Sequence, residues 1–349
     1  MAHKLIALSV LAASTTLAGG ALANDIVYSG SGYGNTFNVT QGGDDNLVGD
    51  SYQDPAGPVV QQGDYNTADV VQDGDDNTAF FEQLGDANYV YSYADGDDNQ
   101  SRTSQTGDNN YASSTAVGTQ NSNYITQQGS YNTANSYVDG MNNTAGVSQT
   151  GDSNNGYAYA SGGLYNYAYV TQDGFGNYAG ASAYGTSSGA YTYQQGDSNN
   201  AYASTYGNYD NASVYQVGDS NYAGANASGD YTGAYVSQTG NSNNGYASAN
   251  GFQSYASVYQ QGDGNQGYAT SDGYSNNAYV TQVGFNNTAS SYASGTYNTV
   301  GIYQEGNYND GNLSVTGNNN SLNLNQFGDN NSFGFSYAGD ALTLNVSQF

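Results

Sequence analysis

Apolar and polar residues alternate along most of this chain. In Asn276-Asn-Ala278-Tyr-Val280-Thr-Gln282, one side of an extended backbone carries Ala278, Val280 and Gln282, and the other carries Asn277, Tyr279 and Thr281. A period of two is the signature of a β-strand with one face buried. The same division recurs around Ala168, Val170 and Gln172, and around Ala212, Val214 and Gln216. The Ala/Val/Gln side is the more uniform from one occurrence to the next, which assigns it inward.

A motif, Gln-x-Gly-x-x-Asn, punctuates these strands at a fixed beat. Its glutamines are Gln61, Gln83, Gln105, Gln127, Gln149, Gln172, Gln194, Gln216, Gln238, Gln260, Gln282, Gln304 and Gln326, with Gln348 one step further on. The step is 22 residues, except for one of 23 between Gln149 and Gln172. The glycines are Gly63, Gly85, Gly107, Gly129, Gly151, Gly174, Gly196, Gly218, Gly240, Gly262, Gly284, Gly306 and Gly328. The asparagines are Asn66, Asn88, Asn110, Asn132, Asn154, Asn177, Asn199, Asn221, Asn243, Asn265, Asn287, Asn309 and Asn331. Gly and Asn tolerate turn dihedrals, so each motif predicts a tight turn. Gln41 and Gln72 open the same motif off this beat.

Halfway between lies a weaker copy, as in Ala94-Asp-Gly96-Asp-Asp-Asn99 and Ala293-Ser-Gly295-Thr-Tyr-Asn298. The repeat is therefore two halves of 11 residues, each a strand of roughly six residues and a turn. Strands entering the weak turn carry small inward residues: Ala223, Ala225 and Ala227, or Ala289, Ser291 and Ala293. Large opposite small lets two facing sheets close to native density.

The predicted fold is all-β: a β-solenoid of stacked 22-residue strand-turn-strand coils, two facing parallel sheets in an amyloid-like arrangement. About 14 coils at about 4.8 Å each would give a rod of roughly 65–70 Å. Each inward Gln then lies above the last, so the amides can form a hydrogen-bonded ladder, and a buried amide is tolerated because it has partners. The abundance of Gly and Asn excludes a long helix. The beat breaks once, at Asp54-Pro-Ala-Gly-Pro58. Proline cannot donate to a ladder, which predicts an excursion there. The organisation expected is a leader over 1–23, irregular repeats with the proline excursion over 24–60, and a regular solenoid over 61–349.

Composition narrows the class. The chain is 37% hydrophobic and 9% charged, with 49 Gly, 38 Tyr and no Cys. Such bias means disorder or a fibrous repeat, and the periodicity selects the latter. His3, Lys4, the apolar run Leu5–Leu11 and Ala21-Leu-Ala23 form an export signal, with cleavage expected between Ala23 and Asn24. The run is too short to span a bilayer, and no later segment is a transmembrane candidate. After cleavage Arg102 is the only basic side chain against 29 Asp and Glu. That charge repels nucleic acid and anionic lipid, and the lack of Cys means no disulfide framework. No cofactor is implied. A chain starting at Asn24 would also lack His and Lys, leaving carboxylates as the ordinary acid–base groups. Its glutamates are Glu82 and Glu305, and its aspartates recur in turns without a distinct constellation. An enzyme is not expected.

Asp64, Asp86, Asp108, Asp152, Asp197, Asp219, Asp263 and Asp329 each follow the motif glycine. Stacked about 5 Å apart, like charges cost on the order of 1 kcal/mol per pair in water. They read as solvated turn residues, as gatekeepers that delay aggregation until after export, or as Ca²⁺ ligands. The Gly-Gly-x-Gly-x-Asp nonapeptide of calcium-binding rolls does not recur. Outward tyrosines such as Tyr215, Tyr259, Tyr279 and Tyr303 suit a half-exposed strand face, or form patches for lateral association or adhesion.

These repeats resemble the curlin repeats of the amyloid curli fibres of Gram-negative bacteria. Gln238, Gly240, Asn243 and Gly245 follow that family's pattern, as do Gln282, Gly284, Asn287 and Ala289. The resemblance covers about residues 30 to 349. It implies a secreted structural subunit that self-assembles into functional amyloid fibres at the cell surface, for biofilm matrix and adhesion. Its partners would be further copies of itself, a nucleator or companion curlin-like subunit, and an outer-membrane secretion pore. The chain ends in Leu342-Thr-Leu344-Asn-Val346-Ser-Gln348-Phe349, another strand of the repeat. The edge there is expected to lie uncovered and to template the next copy. The alternative is a monomeric β-solenoid binding module, a Ca-dependent adhesin or an ice-binding type. An ice-binding face needs a regular Thr array, whereas the outward residue before Gln varies as Thr171, Tyr193, Tyr215, Ser237, Tyr259, Thr281 and Tyr303.

Overall fold

A computed structural model describes residues 25–26, 28–49 and 58–349. The leader, the Ala23–Asn24 cleavage position and Asp54–Gly57 lie outside the described residues. Every regular element among the described residues is a strand, and no helix there is long and apolar enough to cross a membrane. The chain divides into two compact units, the first ending at Phe175 and the second beginning at Gly176. Each is a two-sheet parallel β-solenoid.

In the second unit, each coil before the last contributes one long and one short strand. Tyr222–Asp230 (9 residues) is followed by Gly233–Thr239 (7 residues), and Asn244–Phe252 by Tyr255–Gln261. Long strands pair with long and short with short, always parallel and in register one repeat apart: Ala225 opposes Ala247, and Gln238 opposes Gln260. The two turns of a coil therefore differ. Four residues separate Thr239 from Asn244, whereas two separate Asp230 from Gly233. At the weaker motif the long strand runs on through its glycine.

The core is thin and made of small residues. Ala223, Ala225 and Ala227 on the long-strand sheet and Ala234, Val236 and Gln238 on the other are all buried. The faces meet closely enough that a methyl group built on Gly267 would lie 2.8 Å from Val258 Cγ1 and 3.0 Å from Gln282 Oε1. The small residue two places after most motif asparagines is thus the surface on which the opposite Val and Gln rest. This close fit replaces the thick aliphatic core that the composition cannot supply.

The first unit follows the same plan, with two local departures. The single 23-residue step is absorbed in the strand Asn155–Leu164, which is one residue longer than its neighbours. Its register against Thr133–Met141 shifts between Val138 and Gly140. A β-bulge at a corner lets the glutamine rungs on either side stay aligned.

The second departure is a row of the sheet that two separate strand segments share. Leu47 and Val48 pair with Thr78 and Ala79, while Val60 and Gln61 pair with Glu82 and Gln83. Leu47–Val48 and Val59–Gln62 are two halves of one row, with ten residues of sequence between them. Their partners one row out, Asp25–Ile26 and Tyr28–Ser31, lie one residue apart in the sequence. Regular coils continue before this row, because Thr36–Gln41 pairs with Thr67–Asp73.

Candidate functional site

The inward glutamines form one hydrogen-bonded column in each unit. In the first unit Nε2 of Gln61, Gln83, Gln105, Gln127 and Gln149 donates to Oε1 of the next glutamine, ending on Gln172, over 2.7–3.0 Å. In the second the column runs from Gln194 through Gln216, Gln238, Gln260, Gln282, Gln304 and Gln326 to Gln348 over 2.8–2.9 Å. Each Nε2 also donates to a carbonyl at the start of the coil's long strand, as Gln238 does to Tyr222 O at 3.0 Å. Gln61 through Gln326 are at most 1% exposed, and Gln348 is half-buried. Gln41 and Gln72 lie on the opposite sheet and form a short ladder of their own, Gln41 Nε2 donating to Gln72 Oε1 at 2.9 Å. That ladder stops where Ala94 opposes Gln72.

The motif asparagines do more than turn the chain. Asn243, Asn265 and their equivalents are buried inside the corner. Each Nδ2 donates to the motif glycine's carbonyl one coil on, as from Asn243 to Gly262 O at 2.7 Å. Each Oδ1 accepts the backbone N–H of the next asparagine, as from Asn265 N at 3.0 Å. The other corner repeats this arrangement at Asn77, Asn99, Asn121 and Asn143, and at Asn276, Asn298 and Asn320. Read as turn formers alone, these residues conceal a second and third ladder. Their signal in the sequence is the same fixed beat that marks the glutamines.

The glycines just before these asparagines, from Gly63 to Gly328, all have positive φ, for example +121° at Gly240. A side chain there would collide with the next coil, because a methyl on Gly240 would sit 2.1 Å from Gly262 O. Two residues later the backbone enters the left-handed region, at Gly176 and Gly264 but mostly at non-glycine residues, such as Ser242 (φ 55°) and Tyr231 (φ 58°) at the two corners of one coil.

The turn aspartates are fastened too. Oδ1 of Asp64, Asp86, Asp108, Asp152, Asp219, Asp263 and Asp329 accepts the backbone N–H of the equivalent residue one coil earlier, over 2.7–2.9 Å. Asp197 donates its own N–H to Asp219. The carboxylates are thus staples between coils that also bring charge. Among the described residues no group of His, Cys, Asp and Glu converges as a metal-holding set.

One corner position breaks the pattern. Where asparagine stands in most coils, the second unit has Ser188, Asp210, Thr232 and Ser254 in succession. Asp210 is 2% exposed. Its Oδ1 takes the asparagine role, accepting Thr232 N at 2.8 Å and Thr232 Oγ1 at 2.7 Å. Its Oδ2 is buried without a hydrogen-bond partner. Burial pushes this carboxyl's pKa up, the Thr232 amide and hydroxyl pull against that rise, and the Asp230 charge adds to it.

The outward tyrosines tile the sheet. Tyr279 lies over Gly301, where a methyl would come 2.0 Å from its Cε2, and its hydroxyl donates to Asn323 Oδ1 two coils away at 3.1 Å. Gly224 lies under Tyr246 in the same way. The rings cover backbone that glycine leaves bare.

Three segments of the chain, residues 58–85, 253–284 and 295–328, match the family described as the curlin associated repeat. These three segments are curlin-like repeats by that match. Each matched segment spans two successive rungs: Gln61 and Gln83, Gln260 and Gln282, or Gln304 and Gln326. The matched segments carry the ladder amide, the positive-φ glycine and the corner asparagine. No curated protein matches the chain.

Proposed function

We propose that this curlin-repeat chain is a secreted structural subunit that assembles into curli-like amyloid fibres at the surface of a Gram-negative bacterium, in biofilm matrix and adhesion. The carrying observation is that successive coils are interchangeable. Gln238 offers Nε2 to the coil after it and Oε1 to the coil before it, so a coil of another copy meets the same pattern. Among the described residues the coil Ser332–Ala338 and Thr343–Gln348 pairs on one side only. Its inward Phe333, Phe335, Tyr337, Leu344 and Val346 are half-exposed there. Within the chain each coil covers the inward side chains of the one before and continues its backbone ladder, the step that addition of a second copy would repeat. Export through an outer-membrane pore and a companion or nucleating curlin-like subunit belong to the same proposal.

Purified chain starting at Asn24, left at room temperature, should form fibres under the electron microscope with a meridional reflection near 4.8 Å, the spacing of stacked strands. A clear, monodisperse solution after days would instead support a monomeric binding module.

The turn aspartates supply a second test. Asp86→Asn keeps the acceptor for Asp64 N but removes the charge, whereas Asp86→Ala removes both. The alanine variant should lose about 1 kcal/mol of stability in urea. The asparagine variant should keep its stability and assemble with a shorter lag, as gatekeeping requires. Equal lags for wild type and Asp86→Asn would leave Asp86 a staple alone.

A further inference from the structure

At one corner of the second unit five aromatic rings stack in an unbroken column: Tyr209, Tyr231, Phe252, Tyr274 and Tyr297. Successive centroids are 4.8, 5.9, 5.3 and 5.4 Å apart. The first pair differs from the rest. Tyr209 and Tyr231 have the same left-handed backbone, φ 58° at both, so their side chains leave successive coils in the same direction. Their rings are parallel to within 7°, and they are 53% and 54% exposed. In the other parallel pairs Tyr89–Tyr111, Tyr184–Tyr206 and Tyr193–Tyr215, one ring of each is half-buried. The next ring in the column, Phe252, has no phenol, and Tyr274 meets Tyr297 edge-on.

We propose that Tyr209 and Tyr231 are an oxidative cross-linking site, closing a dityrosine bond between consecutive coils of one chain. The oxidant is hydrogen peroxide acting through a haem peroxidase. Each phenol gives up one electron and its hydroxyl proton, and the peroxide takes both pairs to become two waters. The two phenoxyl radicals, with spin density on the carbons ortho to oxygen, couple through one such carbon on each ring. The ortho hydrogens then move to the oxygens, restoring two phenols joined by a carbon–carbon bond. The geometry selects this outcome because two radicals formed in this stack are already in contact and both rings are open to the oxidant, whereas each of the other parallel pairs named has one ring half-buried. The chain contains no Cys, so this bond supplies a covalent tie that disulfides cannot. It closes a loop of one repeat, limiting the freedom of the unfolded chain as a disulfide does.

The test is to treat the full chain, mixed as equal parts of ordinary and ¹⁵N-labelled protein, with a haem peroxidase and hydrogen peroxide, then digest it for mass spectrometry. The expected product is a Tyr209–Tyr231 linked peptide lighter by two hydrogens, with both halves carrying the same isotope. Tyr231→Phe keeps the ring and the stack, so the fold is retained, and that linked peptide is lost. Mixed-isotope links at Tyr209, or Tyr209 joined to assorted tyrosines with no preference for Tyr231, would overturn the proposal. Because the bond lies within one chain, its formation is read separately from whether fibres form.

Discussion

Replacing Gln238 with leucine is expected to destabilise the coils around it by about 3–5 kcal/mol, although the two side chains are close in volume. Gln238 accepts from Gln216 Nε2 and donates to Gln260 Oε1 and to Tyr222 O. Leucine fills the space and leaves those three buried groups each without one partner. An unsatisfied buried polar group costs about 1–3 kcal/mol, and the apolar gain of leucine offsets only part of the sum. In a solenoid each repeat contacts its neighbours alone, so the damage should stay local. Hydrogen exchange should show faster opening in the strands Asn211–Val217, Gly233–Thr239 and Tyr255–Gln261 and little change in distant coils. A loss below about 0.5 kcal/mol, the scale of a neutral surface change, would mean that the column contributes nothing as a ladder.

Asp210→Asn should have the opposite sign, stabilising the second unit by about 1–3 kcal/mol at neutral pH. Asparagine keeps the Oδ1 acceptor that Thr232 uses. It also restores an Nδ2 at the position from which Asn276 and Asn298 donate to the carbonyls of Gly295 and Gly317. The pH dependence follows from the direction of the shift. The folded pKa lies above the ordinary 3.8, so the folded state holds this proton more tightly than the unfolded chain. The wild-type contribution is therefore intact below 3.8. It falls as pH rises from there through the raised folded value, and it is constant beyond both. Asp230 is the one carboxylate on the strands packed around Asp210, and Tyr206, Tyr209 and Tyr231 are the nearest phenols in sequence and row. Urea midpoints measured across that window should converge for wild type and variant at low pH and separate at neutral pH. Parallel curves would show that Asp210 does not titrate on folding.

The features that could be read in advance are those in which one physical requirement fixes one residue type. Alternation at Ala278, Val280 and Gln282 places all three in the core, because a strand puts every second side chain on one face. The 22-residue beat sets the pairing of Gln260 with Gln282. Residues with two duties were harder to read. Asn243 has the composition of a turn, and nothing local shows that its amide also bridges coils. Asp86 reads as a solvated charge, yet its Oδ1 holds a backbone amide of the neighbouring coil. Pro58 signals that pairing stops, but only the register of Val48 and Val60 reveals that it stops in mid-strand. Asp210 differs from asparagine by one atom, and the loss of a donor there becomes visible only once the neighbouring coils are in place.

Every glutamine of a column passes its N–H the same way, from lower residue numbers to higher, as Gln260 does to Gln282 and Gln282 to Gln304. Aligned amides add their moments as peptide groups do along a helix axis. Each column is therefore an electric dipole, with its positive pole toward the higher-numbered coils. A copy arriving upside down would present like pole to like pole, so growth built on these coils should be unidirectional, giving a filament whose two tips differ chemically.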